Sequence, residues 1–162
     1  MRPLGITAVV ALIVGIAISA QAYNAYDFNS PNFCMLGVPG NWSVTTTGHL
    51  QATTTATAEC ALPLIGGRRP DKLDFGYVDI YRGQTTYAPG GRVCATHYGA
   101  ASFYCTGWVS ASAGTGYKSL TFDSGTSGWS SFHSCDWHYN IYFDTMLFNN
   151  DQLINYRAYW TL

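Results

Sequence analysis

Residues 138–160 read HYNIYFDTMLFNNDQLINYRAYW, and this stretch decides the fold. Apolar side chains recur with a period of two in both of its halves, which is the period of a β-strand with one face in a core. These positions are Tyr139, Ile141, Phe143, Leu147, Ile154, Tyr156, Ala158 and Trp160. The cluster Asn149-Asn150-Asp151 separates the halves and predicts a turn.

Other parts of the chain show the same preference for extended backbone. The threonine-rich stretch 44–58 is rich in β-branched residues, which favour strands. No stretch after residue 22 has the apolar period and caps of a helix. We therefore predict an all-β fold, an antiparallel β-sandwich of seven or eight short strands over residues 41–162. Residues 23–40, rich in Asn, Pro and Gly, predict an irregular entry segment to this single domain.

The first 22 residues have the three-part pattern of a secretory signal peptide. Arg2 precedes an apolar run from Ile6 to Ala20, and Ala20-Gln21-Ala22 supplies the small residues of a cleavage site. The run is shorter than the roughly 20 residues of a membrane-spanning helix, so we expect cleavage and no stable membrane anchor. This pattern predicts a secreted protein, located in the periplasm, at the cell surface or outside the cell.

Composition narrows the range of partners. Only 10% of the residues are charged and acids outnumber Lys and Arg, so we expect no nucleic-acid partner. The chain contains twelve Tyr and five Trp, and aromatic residues make up 15% of it. This balance is typical of a strand-rich chain and excludes a disordered one.

The spacing of two cysteines predicts a cross-strand disulfide. Residues 92–98 and 102–110 form the best hairpin candidate, with Gly99-Ala100 as a two-residue turn. Pairing around that turn sets Cys94 opposite Cys105 at a hydrogen-bonded position, within disulfide range.

Three further cysteines lie in the predicted exported part of the chain. They are Cys34, Cys60 and Cys135, and any two of them can form a second bridge. The remaining thiol is expected to be buried, because an exposed free thiol is a liability outside the cell.

The densest polar cluster contains residue types that bind metals. It consists of His133, Cys135, Asp136 and His138. In a strand these side chains would point to both faces, so we expect a loop with a bridged cysteine and solvated histidines. We predict no metal and no cofactor.

No catalytic residue is assigned. The chain lacks a Gly-x-Ser-x-Gly elbow, and Glu59 is its only glutamate, which speaks against a glycosidase carboxylate pair. A small secreted hydrolase stays open as an alternative, with His133 or His138 bonded to a carboxylate near a serine.

Aromatic residues are the main functional lead. Strand alternation places Tyr104 and Trp108 on one face together with Thr106, and Trp129 lies in a Ser- and Gly-rich loop. Exposed aromatic rings can stack on sugars or anchor a protein interface. We therefore predict Tyr104, Trp108 and Trp129 as candidate binding residues; the alternative for Tyr104 and Trp108 is that both sheet faces are covered and their rings belong to the core.

Four short pieces occur in order along the chain: Glu59–Pro63, Val93-Cys94, Gly116–Leu120 and Leu153–Arg157. Their order resembles that in a loose group of uncharacterised small secreted β-proteins from myxobacteria and similar environmental bacteria. The resemblance covers residues 59–157 and implies an exported β-domain without catalytic residues. Where the group often has a cysteine in the penultimate strand this chain has Asp144, so the resemblance assigns no disulfide to Cys60.

The sequence thus predicts an exported, non-catalytic binding or structural surface domain that recognises carbohydrate or cell envelope through sheet aromatics. Besides the hydrolase, a second alternative is a membrane-active protein. Residues 44–58 alternate polar and apolar side chains, as a strand pair inserted into a membrane does.

Overall fold

A computed structural model describes residues 23–28, 31, 34–62, 72–97, 103–130 and 138–161. Twelve strands account for most of these described residues. Seven strands have six or more residues: β1 (Tyr23–Phe28), β5 (Ala56–Ala61), β6 (Lys72–Arg82), β7 (Gly90–His97), β10 (Gly116–Phe122), β11 (His138–Leu147) and β12 (Gln152–Thr161). The shorter strands are β2 (Cys34–Leu36), β3 (Trp42–Val44), β4 (Leu50–Ala52), β8 (Phe103–Cys105) and β9 (Val109–Ser110).

The strands form two antiparallel sheets. Sheet A has the order β10-β6-β12-β4-β3, with β1 also paired to β12, and sheet B has the order β2-β5-β11-β7-β8, with β9 also paired to β7. The sheets pack face to face, since the ring of Phe122 in sheet A lies 5.5 Å from the ring of Phe143 in sheet B. The predicted antiparallel β-sandwich is confirmed.

The predicted alternation holds for residues 141–147 and 156–159, whereas near Ile154 a register shift of β12 places Leu153 in the core instead. Phe143 of β11 and Tyr156 of β12 are fully buried, whereas Asp144 and Arg157 next to them in sequence remain partly exposed. The two strands lie in different sheets, so the turn at Asn150, whose φ is +69°, carries the chain across the sandwich instead of closing a hairpin.

The Cys94–Cys105 disulfide is confirmed, with the two residues directly opposite each other. The predicted hydrogen-bonded position is wrong. Thr106 N donates to Val93 O at 2.9 Å, which makes that neighbouring pair the hydrogen-bonded one. Cys94 and Cys105 therefore form a non-hydrogen-bonded pair, and their Cα atoms lie 4.1 Å apart. The predicted turn at Gly99-Ala100 lies outside the described residues.

The second strand of this hairpin is shorter than predicted. Instead of one strand over 102–110, β8 ends at Cys105 and β9 starts at Val109. Thr106 turns inwards and is 4% exposed, and its Oγ1 accepts a hydrogen bond from Val93 N. Gly107 N donates to Ser127 O at 2.6 Å, so this residue bonds to a loop and not to a strand.

The second disulfide joins Cys34 and Cys60, which are register partners on β2 and β5. Cys60 is fully buried among the core residues. The remaining cysteine is Cys135, and its predicted burial concerns a position outside the described residues.

The prediction of an irregular segment over residues 23–40 is wrong, because this segment contains β1 and β2. β1 pairs with β12 from Tyr23 opposite Thr161 to Phe28 opposite Tyr156. β4 pairs only with Gln152 and Leu153 of β12, and β1 occupies the edge of β12 from Tyr156 to Thr161. The predicted signal peptide, residues 1–22, lies outside the described residues. None of the described residues forms a helix of the length and hydropathy that crossing a bilayer requires.

Candidate functional site

The outer face of sheet B carries a row of charged side chains. Asp144 in the central strand β11 is the register partner of Arg92 in β7 and of Glu59 in β5. Neighbouring strands are about 4.8 Å apart, so the three side chains follow one another directly across the sheet. All three point away from the core, because Phe143, the neighbour of Asp144, is fully buried.

Arg92 is held on both sides. Its Nε donates to Asp144 Oδ2 at 2.8 Å, and the two side chains are 30% and 15% exposed. Its guanidinium carbon lies 5.1 Å from the centre of the Trp108 ring, a cation–π distance. The ion pair therefore fixes the guanidinium, and the guanidinium in turn supports the indole.

Trp108 owes its position to the break between β8 and β9. The segment 106–108 leaves the strand pairing after Thr106 turns inwards, and the chain rejoins β7 at Val109. Trp108 Cε3 lies 3.5 Å from where a β-carbon of Gly90 would stand, so the indole covers the outer side of that glycine. With 47% of its surface exposed, Trp108 presents an open apolar plane beside the charged row.

Tyr142 adds a hydroxyl to the same face. It lies two positions before Asp144 on β11 and is the register partner of Cys94. Burial raises the pKa of Tyr142, the charges of Glu59 and Asp144 raise it further, and the charge of Arg92 lowers it. The phenol therefore keeps its proton at neutral pH, and it can donate and accept hydrogen bonds.

We call Trp108, Arg92, Asp144, Glu59 and Tyr142 the Trp108 surface. It joins an exposed indole to a cation, two carboxylates and a neutral hydroxyl on a rigid sheet. Flat aromatic rings bind apolar faces of ligands, and the flanking polar groups give such contacts their specificity. Among the described residues, no group of three His, Cys, Asp or Glu side chains could hold a metal ion.

The structure separates the two candidates of the predicted hairpin strand. Tyr104 is 48% exposed and pairs with Ala95, which is fully buried on the core side of β7. Its side chain therefore leaves the edge strand on the opposite side from Trp108. The predicted common face is wrong for Trp108: Tyr104 and Thr106 lie opposite the buried residues Ala95 and Val93, whereas Trp108 lies over Arg92 on the outer side.

Trp129 does not have the exposed ring that a binding residue needs. It is 4% exposed and belongs to the hydrophobic core. The loop before it is closed by Asp123 and Thr126: Asp123 N donates to Thr126 Oγ1, and Trp129 N donates to Thr126 O. This turn directs the indole inwards.

Of the histidine cluster, residues 133–136 and the side chain of His138 lie outside what the structure describes.

The aromatic side chains on the outer face of sheet A were not among the binding residues predicted from the sequence. Phe75 and Tyr159 stack with ring centres 4.4 Å apart, and Tyr77 meets both rings edge-on. Arg157 lies over Tyr77 at 5.1 Å and bonds Asp79 Oδ2 at 2.8 Å. The sequence contained a signal for this cluster, because Phe75 and Tyr77 alternate with Gly76 and Val78 in β6 and so lie on one face of the strand.

Comparison with known proteins identifies no family. No family model matches the chain, and no curated protein matches it. Among solved structures, the chain is similar to TmCBM27, a carbohydrate-binding module studied for specific mannan recognition. The identity is 14%, the match covers 87% of this chain and 99% of that one, and the TM-score is 0.44. Mannan recognition is a property of that module, and the identity is too low to transfer any residue's role.

Proposed function

We propose that this protein is an exported, non-catalytic domain that binds a polysaccharide of a cell envelope or similar material at the Trp108 surface. The single observation that carries the proposal is the half-exposed indole of Trp108, supported from beneath by Arg92. A sugar ring presents axial C–H groups that pack on an indole, while its hydroxyls need donors and acceptors at the rim.

The polar side chains of the Trp108 surface supply such donors and acceptors. Arg92 offers donors, Asp144 and Glu59 offer acceptors, and Tyr142 offers both. Because Asp144 already holds Arg92, the guanidinium loses little conformational freedom when a ligand binds. The two disulfides are consistent with an oxidising compartment, where such bonds form and persist.

Retention on insoluble polysaccharides and isolated cell envelopes tests the proposal. We expect the native chain to be retained and Trp108→Ala to lose at least tenfold in retention. Tyr104→Ala is the matched control, because it removes an equally exposed aromatic ring from the other side of the sheet. Equal retention of Trp108→Ala and native protein, or no retention on any material, contradicts the proposal.

A further variant tests the support beneath the indole. Asp144→Asn removes the negative charge that holds Arg92 and leaves the Trp108 side chain itself unaltered. We expect retention to fall severalfold, and to fall less than in Trp108→Ala. Unchanged retention would limit the site to the indole.

Two alternatives predict different readouts on the same samples. One observation favours the hydrolase alternative: Glu59 is the register partner of Asp144, so two carboxylates lie side by side on the sheet. It predicts release of reducing ends from the polysaccharide and loss of that release in Glu59→Gln. The membrane-active alternative predicts release of dye from liposomes.

A further inference from the structure

Three loops meet in a cleft at one end of the sandwich, and none of the residues that line it belongs to the Trp108 surface. The cleft has a volume of about 380 Å³ and is lined by the β4–β5 loop (Thr53–Thr55), the β6–β7 loop and the β11–β12 turn. We call it the end cleft. Pockets of about 300 Å³ and more are large enough for small organic ligands.

An aromatic pair forms one wall of the end cleft. The rings of Tyr87 and Phe148 are stacked, with centres 5.0 Å apart and planes inclined by 27°. Phe148 supports the inner side of the pair, and Tyr87 is 60% exposed. The tyrosine therefore presents a ring face to solvent at an angle that its partner holds.

The backbone of Tyr87 is fixed by neighbouring side chains. Tyr87 N donates to Gln84 Oε1 at 2.8 Å, and Gln84 Nε2 donates to Tyr87 O at 2.6 Å. The same carbonyl accepts a hydrogen bond from Arg82 Nη2 at 3.0 Å. Arg82 is 4% exposed and also donates to the carbonyls of Gln84, Thr85 and Ser112. The buried guanidinium thus organises the whole β6–β7 loop.

A buried carboxylate joins this loop to the β11–β12 turn. Asp151 is fully buried, and its Oδ1 accepts from Gly83 N at 2.9 Å while its Oδ2 accepts from Phe148 N at 3.0 Å. The backbone of Phe148 and the first residue of the loop that carries Tyr87 are therefore bonded to one side chain. A site held in its bound geometry before the ligand arrives binds more tightly, because less entropy is lost.

Among the residues that the structure describes, none that lines the end cleft carries a charged side chain. Its polar groups are the threonine hydroxyls and the side-chain amides of Gln84, Asn149 and Asn150. A phosphate or carboxylate ligand would find no cation there, and a metal ion no carboxylate. Neutral hydroxyls and amides around an aromatic face match a ligand with many hydroxyls and no charge.

From this geometry we infer that the end cleft binds a neutral sugar unit, with its ring against Tyr87 and its hydroxyls bonded to threonine and asparagine side chains. The inference rests on residues that the Trp108 surface does not include. It adds a second saccharide site to the molecule, at the end of the sandwich where the three loops converge.

Titration with soluble neutral oligosaccharides of glucose, mannose and xylose tests this inference, by calorimetry and by amide chemical shifts. We expect shifts in residues 53–55, 84–87 and 148–150. Tyr87→Ala should weaken binding at these residues at least tenfold. Trp108→Ala should leave it unchanged.

A second variant guards against an effect of Tyr87→Ala on folding. Asn149→Asp places a charge on an exposed turn residue and should weaken binding severalfold without changing the unfolding midpoint. Full-strength binding in Tyr87→Ala, shifts confined to sheet B, or shifts caused by no sugar in the panel would overturn the inference. Loss in Trp108→Ala with none in Tyr87→Ala would leave the Trp108 surface as the sugar site.

Discussion

The ring of Phe143 lies directly over Gly76, so close that a β-carbon at residue 76 would stand 2.6 Å from its Cζ atom. Gly76 belongs to sheet A and Phe143 to sheet B, and both are buried. The missing side chain of one sheet therefore makes room for a large side chain of the other. Such interlocking is how the two faces of a sandwich fill the space between them.

Gly76→Ala should consequently destabilise the protein. The added methyl group must displace a fully buried ring, which costs about 1–3 kcal/mol in a well-packed core. Urea unfolding measures the change. Gly40→Ala is the control, because no atom of the described part of the chain lies within 4 Å of a β-carbon there. Equal unfolding midpoints for the two variants would contradict the close packing.

Removal of the Asp151 carboxylate should cost more than removal of a surface carboxylate. Asp151→Ala leaves Gly83 N and Phe148 N without their buried acceptor, and we expect a loss of about 2–4 kcal/mol. Asp123→Ala is the comparison, since Asp123 is exposed and accepts from Gly125 N in a turn. If both variants unfold at the same urea concentration, Asp151 does not join the two loops.

Thiol counting tests the disulfide assignment. Two bridges use four of the five cysteines, so the oxidised protein should show one reactive thiol per chain when unfolded. Cys135→Ser should abolish that reaction. A reactive thiol that persists in Cys135→Ser would show that one of the other four cysteines is unpaired.

Stability should decline at alkaline pH. Burial raises the pKa of Tyr156, and burial followed by the charges of Glu59 and Asp144 raises that of Tyr142. Above the unfolded-state pKa of about 10, the unfolded chain loses these protons more readily than the folded chain, so the free energy of unfolding falls as pH rises. Below that pH the contribution is fully present.

Urea unfolding at about pH 8 and about pH 11 measures this decline, which spans the tyrosine range. Tyr156→Phe should make it smaller. Tyr117→Phe, which removes a phenol that is 76% exposed, should leave it as in the native protein. A stability independent of pH across this range would argue against the burial of the two phenols.

Predictions from the sequence succeeded where residues close together in the chain decide the structure by themselves. The period of two in residues 138–160 requires only that one face of each strand be apolar, and Phe143 and Tyr156 follow it. Cys94 and Cys105 lie on adjacent strands of one local pairing, so counting from the turn found the bridge. The prediction that Cys94 and Cys105 form a hydrogen-bonded pair was wrong, because the geometry of the turn decides which residue pairs of a hairpin are hydrogen-bonded.

Predictions about exposure failed where a loop decides it. Trp129 is in a polar, glycine-rich stretch, yet a turn closed by Thr126 directs its ring into the core. Trp108 is 47% exposed, and its position depends on the break in strand pairing between Cys105 and Val109, which the sequence did not predict. The contact between the rings of Tyr87 and Phe148 could not be predicted from the sequence, because Phe148 lies 61 positions further along the chain.

By itself, then, the sequence determined the all-β class, the sandwich and the Cys94–Cys105 bridge. These follow from alternation, spacing and residue type, which act between neighbours in the chain or across one hairpin. Only the tertiary structure decided that β11 and β12 lie in different sheets, that Asp144 holds Arg92 beneath Trp108, and that three loops form the end cleft. Those relationships join segments distant in sequence, and the packing of the two sheets on a shared core is what brings them together.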